Sequence, residues 1–362
     1  MAAKPTVLIT GVSGSLGLRL LEQLEGFQVI GVDIRDLPSA NSVFRFEKID
    51  LAEERSCRQL LDLMRAYRPE TVLHLAFVLD PLCSGLPDAK AMWNVNVVGT
   101  SRVIEAIAEH NRMVGGVEKF VFSSSTAVYG PEPGKQVTEK SPLNAQGLGY
   151  ALHQQEADQT VRDRAESLRR SKTYILRCHP YAGAGTHNYH LEALRGFPSG
   201  KGYWAERLRR NGTRLPLWLP SRGDHMEHRS QFVHVEDVAR LLAHIASRKQ
   251  SDPQLTVLNV AGRGDPIQLS KCLELAAAQV KRAPTKSLAR QAVSWLWRLG
   301  ISGFPPEALP YLLGSCTTDL APLRVFLGEH YRSVIQYTCE EALRDAFAPP
   351  ARRQATVAGA TA

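Results

Sequence analysis

Gly11, Gly14 and Gly17 recur at intervals of three within Thr10–Gly17 (TGVSGSLG), directly after the apolar run Thr6–Thr10 and before a helical pattern. Glycines so placed let a chain turn tightly, let backbone N–H groups approach a pyrophosphate, and let a helix pack closely against a strand. Asp33 closes the next apolar run, 22 positions beyond Gly11. That is close to the roughly 20 expected of a carboxylate that binds an adenosine ribose. The pattern is that of a dinucleotide site, with Gly11, Ser13, Gly14, Leu16, Gly17 and Asp33 as cofactor contacts. A carboxylate accepts hydrogen bonds from both ribose hydroxyls and repels a 2′-phosphate, so NAD is expected rather than NADP. Arg35, two positions on, could receive such a phosphate or could be a solvated side chain.

The elements that must position these residues follow from periodicity. β-Branched apolar runs predict strands at Thr6–Thr10, Gln28–Val32, Val43–Ile49, Thr71–Ala76, Phe120–Ser123 and Thr173–Arg177. Helical spacing predicts helices at Ser15–Leu24, Glu53–Tyr67, Asp88–His110 and about Gly149–Arg170. Alternating strand and helix means an α/β fold, a doubly wound parallel sheet covered on both faces. After Arg177 the regularity breaks, and Pro180–Gly202 reads as a loop-rich insertion. Gln231–Val235 and Leu255–Val260 read as a return to the sheet, with a helix at Asp237–Ser247 between them. The expected organisation is therefore a Rossmann domain from 1–180 plus about 231–265. A smaller, mostly helical substrate lobe takes 181–230 plus 266–347, and a disordered tail follows to residue 362.

Composition sets the outer limits. The chain has 362 residues, 44% of them hydrophobic and 22% charged, which is globular. No stretch approaches the roughly 18 uncharged apolar residues of a membrane span. The N-terminal pattern is not that of an export signal, so the expected compartment is the cytoplasm. The six cysteines are at least 23 positions apart, which excludes zinc-type clusters. His225, His228 and His234 are close in sequence, but no metal is expected because one lies inside a predicted strand. The net charge of +8 comes partly from the runs Arg162–Lys172 and Arg207–Arg214. With no nucleic-acid motif beside them they read as solvated faces, and no nucleic-acid partner is expected. Ser123–Ser125 does not sit in a G-x-S-x-G elbow, so no hydrolase is expected. The segment Ala289–Phe304, with Trp295 and Trp297, is expected to pack within the second lobe or at a dimer contact.

The chain resembles the extended short-chain dehydrogenase/reductase family, of the NAD-dependent epimerase/dehydratase (UDP-glucose 4-epimerase-like) type. The resemblance rests on Thr10–Gly17 (TGxxGxxG), Asp50-Leu51, His74-Leu75-Ala76, Asn96–Thr100 (NxxGT), Phe122–Gly130 (FSSSTAVYG), Gln231–Ala239 (QFVHVEDVA) and Leu258–Ala261. It covers about residues 5–345. It implies NAD contacts from Asp50 and Leu51 to the adenine, and from Leu75 and Ala76 at the end of the fourth strand. It also implies a catalytic serine at Ser125 and a catalytic tyrosine at Tyr150. The family's tyrosine exchanges a proton with substrate as hydride moves. A lysine one helical turn later supplies charge and holds the ribose.

Here that lysine is Gln154, which can bond a ribose but carries no charge. His153, beside it, reads as a solvent-facing residue or, if protonated, as an aid to Tyr150. The substrate side departs as well. Pro180 stands where the family places asparagine, Ser230 where it places a diphosphate-binding arginine, and R-x-G-D is missing from Ala283–Asp319. Two functions follow. One is an NAD-dependent oxidoreductase, epimerase or dehydratase acting on a small molecule such as a sugar nucleotide, with Ser125, Tyr150 and Gln154 at its centre. The other is a non-catalytic dinucleotide-binding protein. The resemblance also implies a homodimer through a four-helix bundle, supplied by the helices at Asp88–His110 and Gly149–Arg170.

Overall fold

The computed structural model describes residues 4–38, 43–80, 88–134, 136–168, 170–249 and 251–348. The tail, 349–362, and Cys83 lie outside the described residues. Seven parallel strands form the central sheet: β1 (Thr6–Thr10), β2 (Gln28–Asp33), β3 (Arg45–Lys48), β4 (Thr71–His74), β5 (Lys119–Ser125), β6 (Lys172–Cys178) and β7 (Leu255–Val260). Their order is β3-β2-β1-β4-β5-β6-β7. The order reverses between β1 and β4. Beyond the carboxyl ends of those two strands lies the crevice where open α/β sheets hold their ligands.

The strands are nearly continuous in apolar residues because both faces are covered. On one face, α1 (Ser15–Leu21) and α5 (Val235–Ser247) enclose Val7, Ile9, Leu73, Val121 and Leu176. On the other, α2 (Ser56–Tyr67), α3 (Gly99–Met113) and α4 (Gly149–Arg164) enclose Leu8, Ile30, Val72, Phe120 and Ile175. A third apolar cluster joins the helices Tyr189–Arg195, Leu269–Leu275, Lys286–Arg298, Leu309–Leu313 and Cys339–Phe347 to Ala145, Leu148 and Ala151; the segments after Cys178 that carry most of it are called the second lobe below.

Three expectations change. The helix predicted over Asp88–His110 is interrupted: Ala89–Trp93, capped by the Asp88 carboxylate, runs into a π-helical turn, Asn94–Val98, before α3. Pro180–Gly202 is not all loop, for it holds the short strand Tyr181–Ala182 and the helix Tyr189–Arg195. Of Gln231–Val235 only Val233–His234 is a strand, and it pairs with Tyr181–Ala182 outside the main sheet. A two-residue ladder cannot be told from an ordinary buried strand by apolar pattern alone.

Candidate functional site

The glycine loop joins β1 to α1 at the crevice. Gly11 has a left-handed φ of +78°, and a Cβ there would lie 2.6 Å from the backbone nitrogen of Ala76. The turn is thus pressed against the end of β4, which explains why His74-Leu75-Ala76 and the loop belong together. A Cβ on Gly17 would lie 2.4 Å from the Val12 carbonyl oxygen, so α1 can approach the loop only with glycine there. Gly14 faces a more open space. A Cβ there would meet the Gly11 carbonyl at 3.1 Å, and then only the Arg35 guanidinium at 3.9 Å. Leu16 is buried beneath the loop.

Asp33 ends β2 beside this loop. Its two oxygens accept backbone N–H bonds from Ser13 and from Arg35, each at 3.0 Å. The Ser13 hydroxyl donates to the Arg35 carbonyl at 2.9 Å. The carboxylate is therefore fixed in orientation with lone pairs to spare. The Arg35 side chain is exposed and stands 3.8 Å from Asp33. Asp50 accepts from the backbone of Ala52, and Leu51 is buried with its carbonyl held by Arg102. Behind the loop, His74 bridges Thr10 at 2.6 Å and Thr100 at 2.9 Å. Burial pushes its imidazole down to about 3, so it is neutral and structural.

β5 ends on the same side of the sheet. Ser123 and Ser125 alternate with buried Ser124, so both point toward one face. The Ser125 oxygen accepts from the Ala127 N–H at the start of a 3₁₀ turn, Thr126–Tyr129. Tyr150, in the first turn of α4, lies close enough for the Ser125 hydroxyl to pull its pKa down. Gln154, one turn on, donates from Nε2 to the Tyr150 oxygen at 3.3 Å. Burial raises the Tyr150 phenol above its ordinary value, opposed by the bonds from Ser125 and Gln154, and no Lys or Arg among the described residues offsets it. Phe77 meets the Tyr150 ring edge-on at 5.8 Å.

Gln154 is buried, and its Oε1 has no partner among the described residues. A buried acceptor without a donor is costly unless something donates to it, and a ribose hydroxyl is such a donor. The open face of Gly14, the oriented carboxylate of Asp33 and this orphaned oxygen fit a dinucleotide laid across the crevice. His153 differs from both sequence readings: it is buried, its imidazole is pushed down by burial, and it faces Asn96 and the Trp93 ring rather than Tyr150. Asn96, in the π turn, grips Val78 with both amide atoms, at 2.7 and 2.9 Å, and so fixes the chain after β4.

One pair escaped the sequence reading. The Tyr181 phenol shares a hydrogen bond with Ser123 at 2.9 Å, close enough to Tyr150 and Cys178 to feel both. The serine's two-residue spacing from Ser125 was the available signal. On the substrate side, Arg177 is fully buried and binds Asp158 with two hydrogen bonds, at 2.8 and 2.9 Å, so it is committed to the core. Ser230 bridges to Cys316, while Arg229 beside it is exposed. A small cavity of about 30 Å³ between Glu192, Trp218 and Leu296 contains none of the expected site residues. The three histidines diverge: His225 meets Arg282, His228 the Leu313 carbonyl, and His234 stacks on Tyr337. Among the described residues no metal-ligating cluster occurs, and no helix is long and apolar enough to cross a membrane.

Residues 7–261 match the profile of the NAD dependent epimerase/dehydratase family. The chain is 27% identical over 300 residues to UDP-glucose 4-epimerase GEPI48 of Cyamopsis tetragonoloba, spanning 76% of this chain and 81% of that protein. It is 29% identical over 209 residues to UDP-glucose 4-epimerase 1 of Oryza sativa subsp. japonica, spanning 54% and 56%. The fold superposes on the UDP-glucose 4-epimerase of Thermus thermophilus in complex with NAD with a TM-score of 0.65, at 21% identity, over 94% of this chain and 97% of that one. The profile match, over residues 7–261 and so most of the chain, makes the protein a member of the NAD dependent epimerase/dehydratase family.

Proposed function

We propose that the chain is an NAD-linked oxidoreductase of the epimerase or dehydratase type, acting on a hydroxyl or carbonyl carbon of a sugar nucleotide or a related small molecule. The observation that carries this is the Ser125–Tyr150–Gln154 line, set at the carboxyl end of β5, with the buried Gln154 Oε1 left without a partner among the described residues. Gly11, Ser13, Gly14, Leu16 and Gly17 would hold the pyrophosphate, Asp33 the adenosine ribose, and Asp50 and Leu51 the adenine. Leu75, Ala76, Tyr150 and Gln154 would hold the nicotinamide half, and the bound dinucleotide would supply the hydride acceptor and donor. Ser125 holds the substrate oxygen, and Tyr150 takes or gives its proton. NAD is preferred to NADP because the Asp33 carboxylate would face and repel a 2′-phosphate, and the neighbouring Arg35 guanidinium is paired with that carboxylate at 3.8 Å. A second copy would be met by the α3–α4 side, where Trp93 and Leu152 are exposed.

A specific observation favours a second reading, a dinucleotide-binding protein without turnover. Among the described residues no Lys or Arg offsets the burial of Tyr150, and that burial raises its pKa, so the phenol ionises less readily. Incubation with NAD or NADP and a panel of UDP-, GDP- and dTDP-sugars, followed at 340 nm and by product chromatography, separates the two. Product formation supports the enzyme, and tight NAD binding with no product supports the binding protein.

A further inference from the structure

The second lobe carries a face that the dinucleotide reading does not use. The helix Lys286–Arg298 buries Ala289 and Val293 in the lobe's core. Leu288, Trp295 and the following Leu299, spaced by seven and four, lie on its outer side at 45, 63 and 53% exposure. The helix Tyr203–Arg210 starts beside the end of this one. The N–H of Gly202 donates to the Gly300 carbonyl at 2.9 Å, and that of Gly200 to Ile301 at 3.1 Å. A Cβ at Gly200 would come within 2.0 Å of the Gly300 oxygen, so the two segments touch backbone to backbone. Tyr203 and Trp204 therefore emerge next to Leu299, at 70 and 53% exposure, their rings 5.5 Å apart.

Charge accompanies the apolar groups. Of the six Lys and Arg residues in the two helices, Arg209 is held by the Pro198 and Gly200 carbonyls, Arg210 pairs with Glu206 and Arg290 with Glu307, while Arg207, Lys286 and Arg298 are exposed. Arg207 lies over the Trp204 ring at 5.6 Å, and exposed Arg298 adjoins Leu299. Packing within the lobe, expected for the Trp295 segment, holds for Ala289 and Val293 but leaves Trp295 in solvent.

Exposed Trp and Tyr beside leucines, with the exposed cations Arg207 and Arg298 next to them, match the chemistry of a bilayer interface. Indole and phenol settle at headgroup depth, leucine enters the acyl boundary, and Lys and Arg meet anionic headgroups. A nucleic acid would use the cations but has no place for Leu288 and Leu299. A two-fold contact between copies would set one cationic face against another. We propose that this face seats the second lobe on an anionic phospholipid surface, with both helices lying along it.

The test uses the full chain with vesicles of phosphatidylcholine alone or mixed with phosphatidylglycerol. The protein should sediment with the phosphatidylglycerol vesicles, shift its tryptophan emission to the blue, and release as salt rises. Trp204→Ser/Trp295→Ser should weaken binding at least about tenfold with unchanged circular dichroism and Tm. Should that variant misfold, Arg207→Glu/Arg298→Glu reads the same surface through exposed side chains and should lose binding equally. No sedimentation at low salt, or equal binding by a folded variant, overturns the proposal. So does a dimer that the tryptophan variant dissolves, or a preference for duplex DNA over vesicles.

Discussion

The side-chain amide of Gln154 donates to the Tyr150 phenol from one helical turn away, at 3.3 Å. An amide steadies a phenolate far less than an ammonium does, and burial already holds the phenol above its ordinary value. The basic form of Tyr150 is therefore scarce at pH 7 and grows as pH rises. Hydride-transfer activity should climb into the alkaline range. Gln154→Lys should move the profile toward neutrality and raise the rate at pH 7, on the order of 10²–10⁴-fold where proton transfer limits. His153→Gln should leave the profile unmoved, since His153 faces Asn96. Brisk wild-type turnover at pH 7, no faster in Gln154→Lys, would contradict this account of Tyr150.

Cofactor choice should rest on Asp33. NAD should bind at least about tenfold more tightly than NADP, about 1.4 kcal/mol. Asp33→Ala should narrow that gap and also free the Ser13 and Arg35 N–H groups that now orient the carboxylate. Calorimetry with both dinucleotides gives the answer, and equal affinities in the wild type would transfer the role to Arg35.

The glycines should separate by what surrounds them. Gly14→Val has only the Gly11 carbonyl to displace, so it should fold and lose dinucleotide binding. Gly11→Ala drives a Cβ into the Ala76 backbone and forces a left-handed alanine, so it should lose about 1–3 kcal/mol of stability. Urea titration and NAD calorimetry on both variants distinguish them; unchanged NAD affinity in Gly14→Val would place the cofactor elsewhere.

Acid should weaken the fold through its buried imidazoles. His74 and His179 are both held down to about 3 by burial. They stay neutral in the folded chain while the unfolded chain takes up protons below about pH 6.5. Each depressed histidine therefore costs up to about 1.4 kcal/mol for every pH unit between roughly 6.5 and 3. Urea midpoints at pH 7 and pH 5 should differ, and His74→Gln should reduce the difference. Identical midpoints would mean that these imidazoles charge freely.

Much of this was legible in the sequence because it is local. Thr6–Thr10 is the strand the apolar run predicts, and Gly11, Gly14 and Asp33 meet as their spacing requires. What escaped depends on distant partners. The π turn at Asn94–Val98 leaves no mark in helical periodicity, yet it aims Asn96 at Val78. His153 was misread because its environment is set by Trp93 and Asn96, on another helical segment. The pairing of Val233–His234 with Tyr181–Ala182 depends on how the second lobe leaves the sheet.

The helix that presents Tyr150 in its first turn is anchored two turns later by Asp158, which receives Arg177 from β6 and the Ser124 hydroxyl from β5. The same guanidinium holds Tyr129, whose phenol passes the link on to Asn259 in β7. Sliding or unwinding of α4 at its middle would strand an unpaired charge in the apolar interior. Its amides near Asp158 should accordingly exchange with deuterium only through global unfolding, while those at Gly149 and Tyr150 exchange by fraying. The end of the helix that carries Tyr150 is thus held less tightly than its middle, whose registry against the sheet stays fixed.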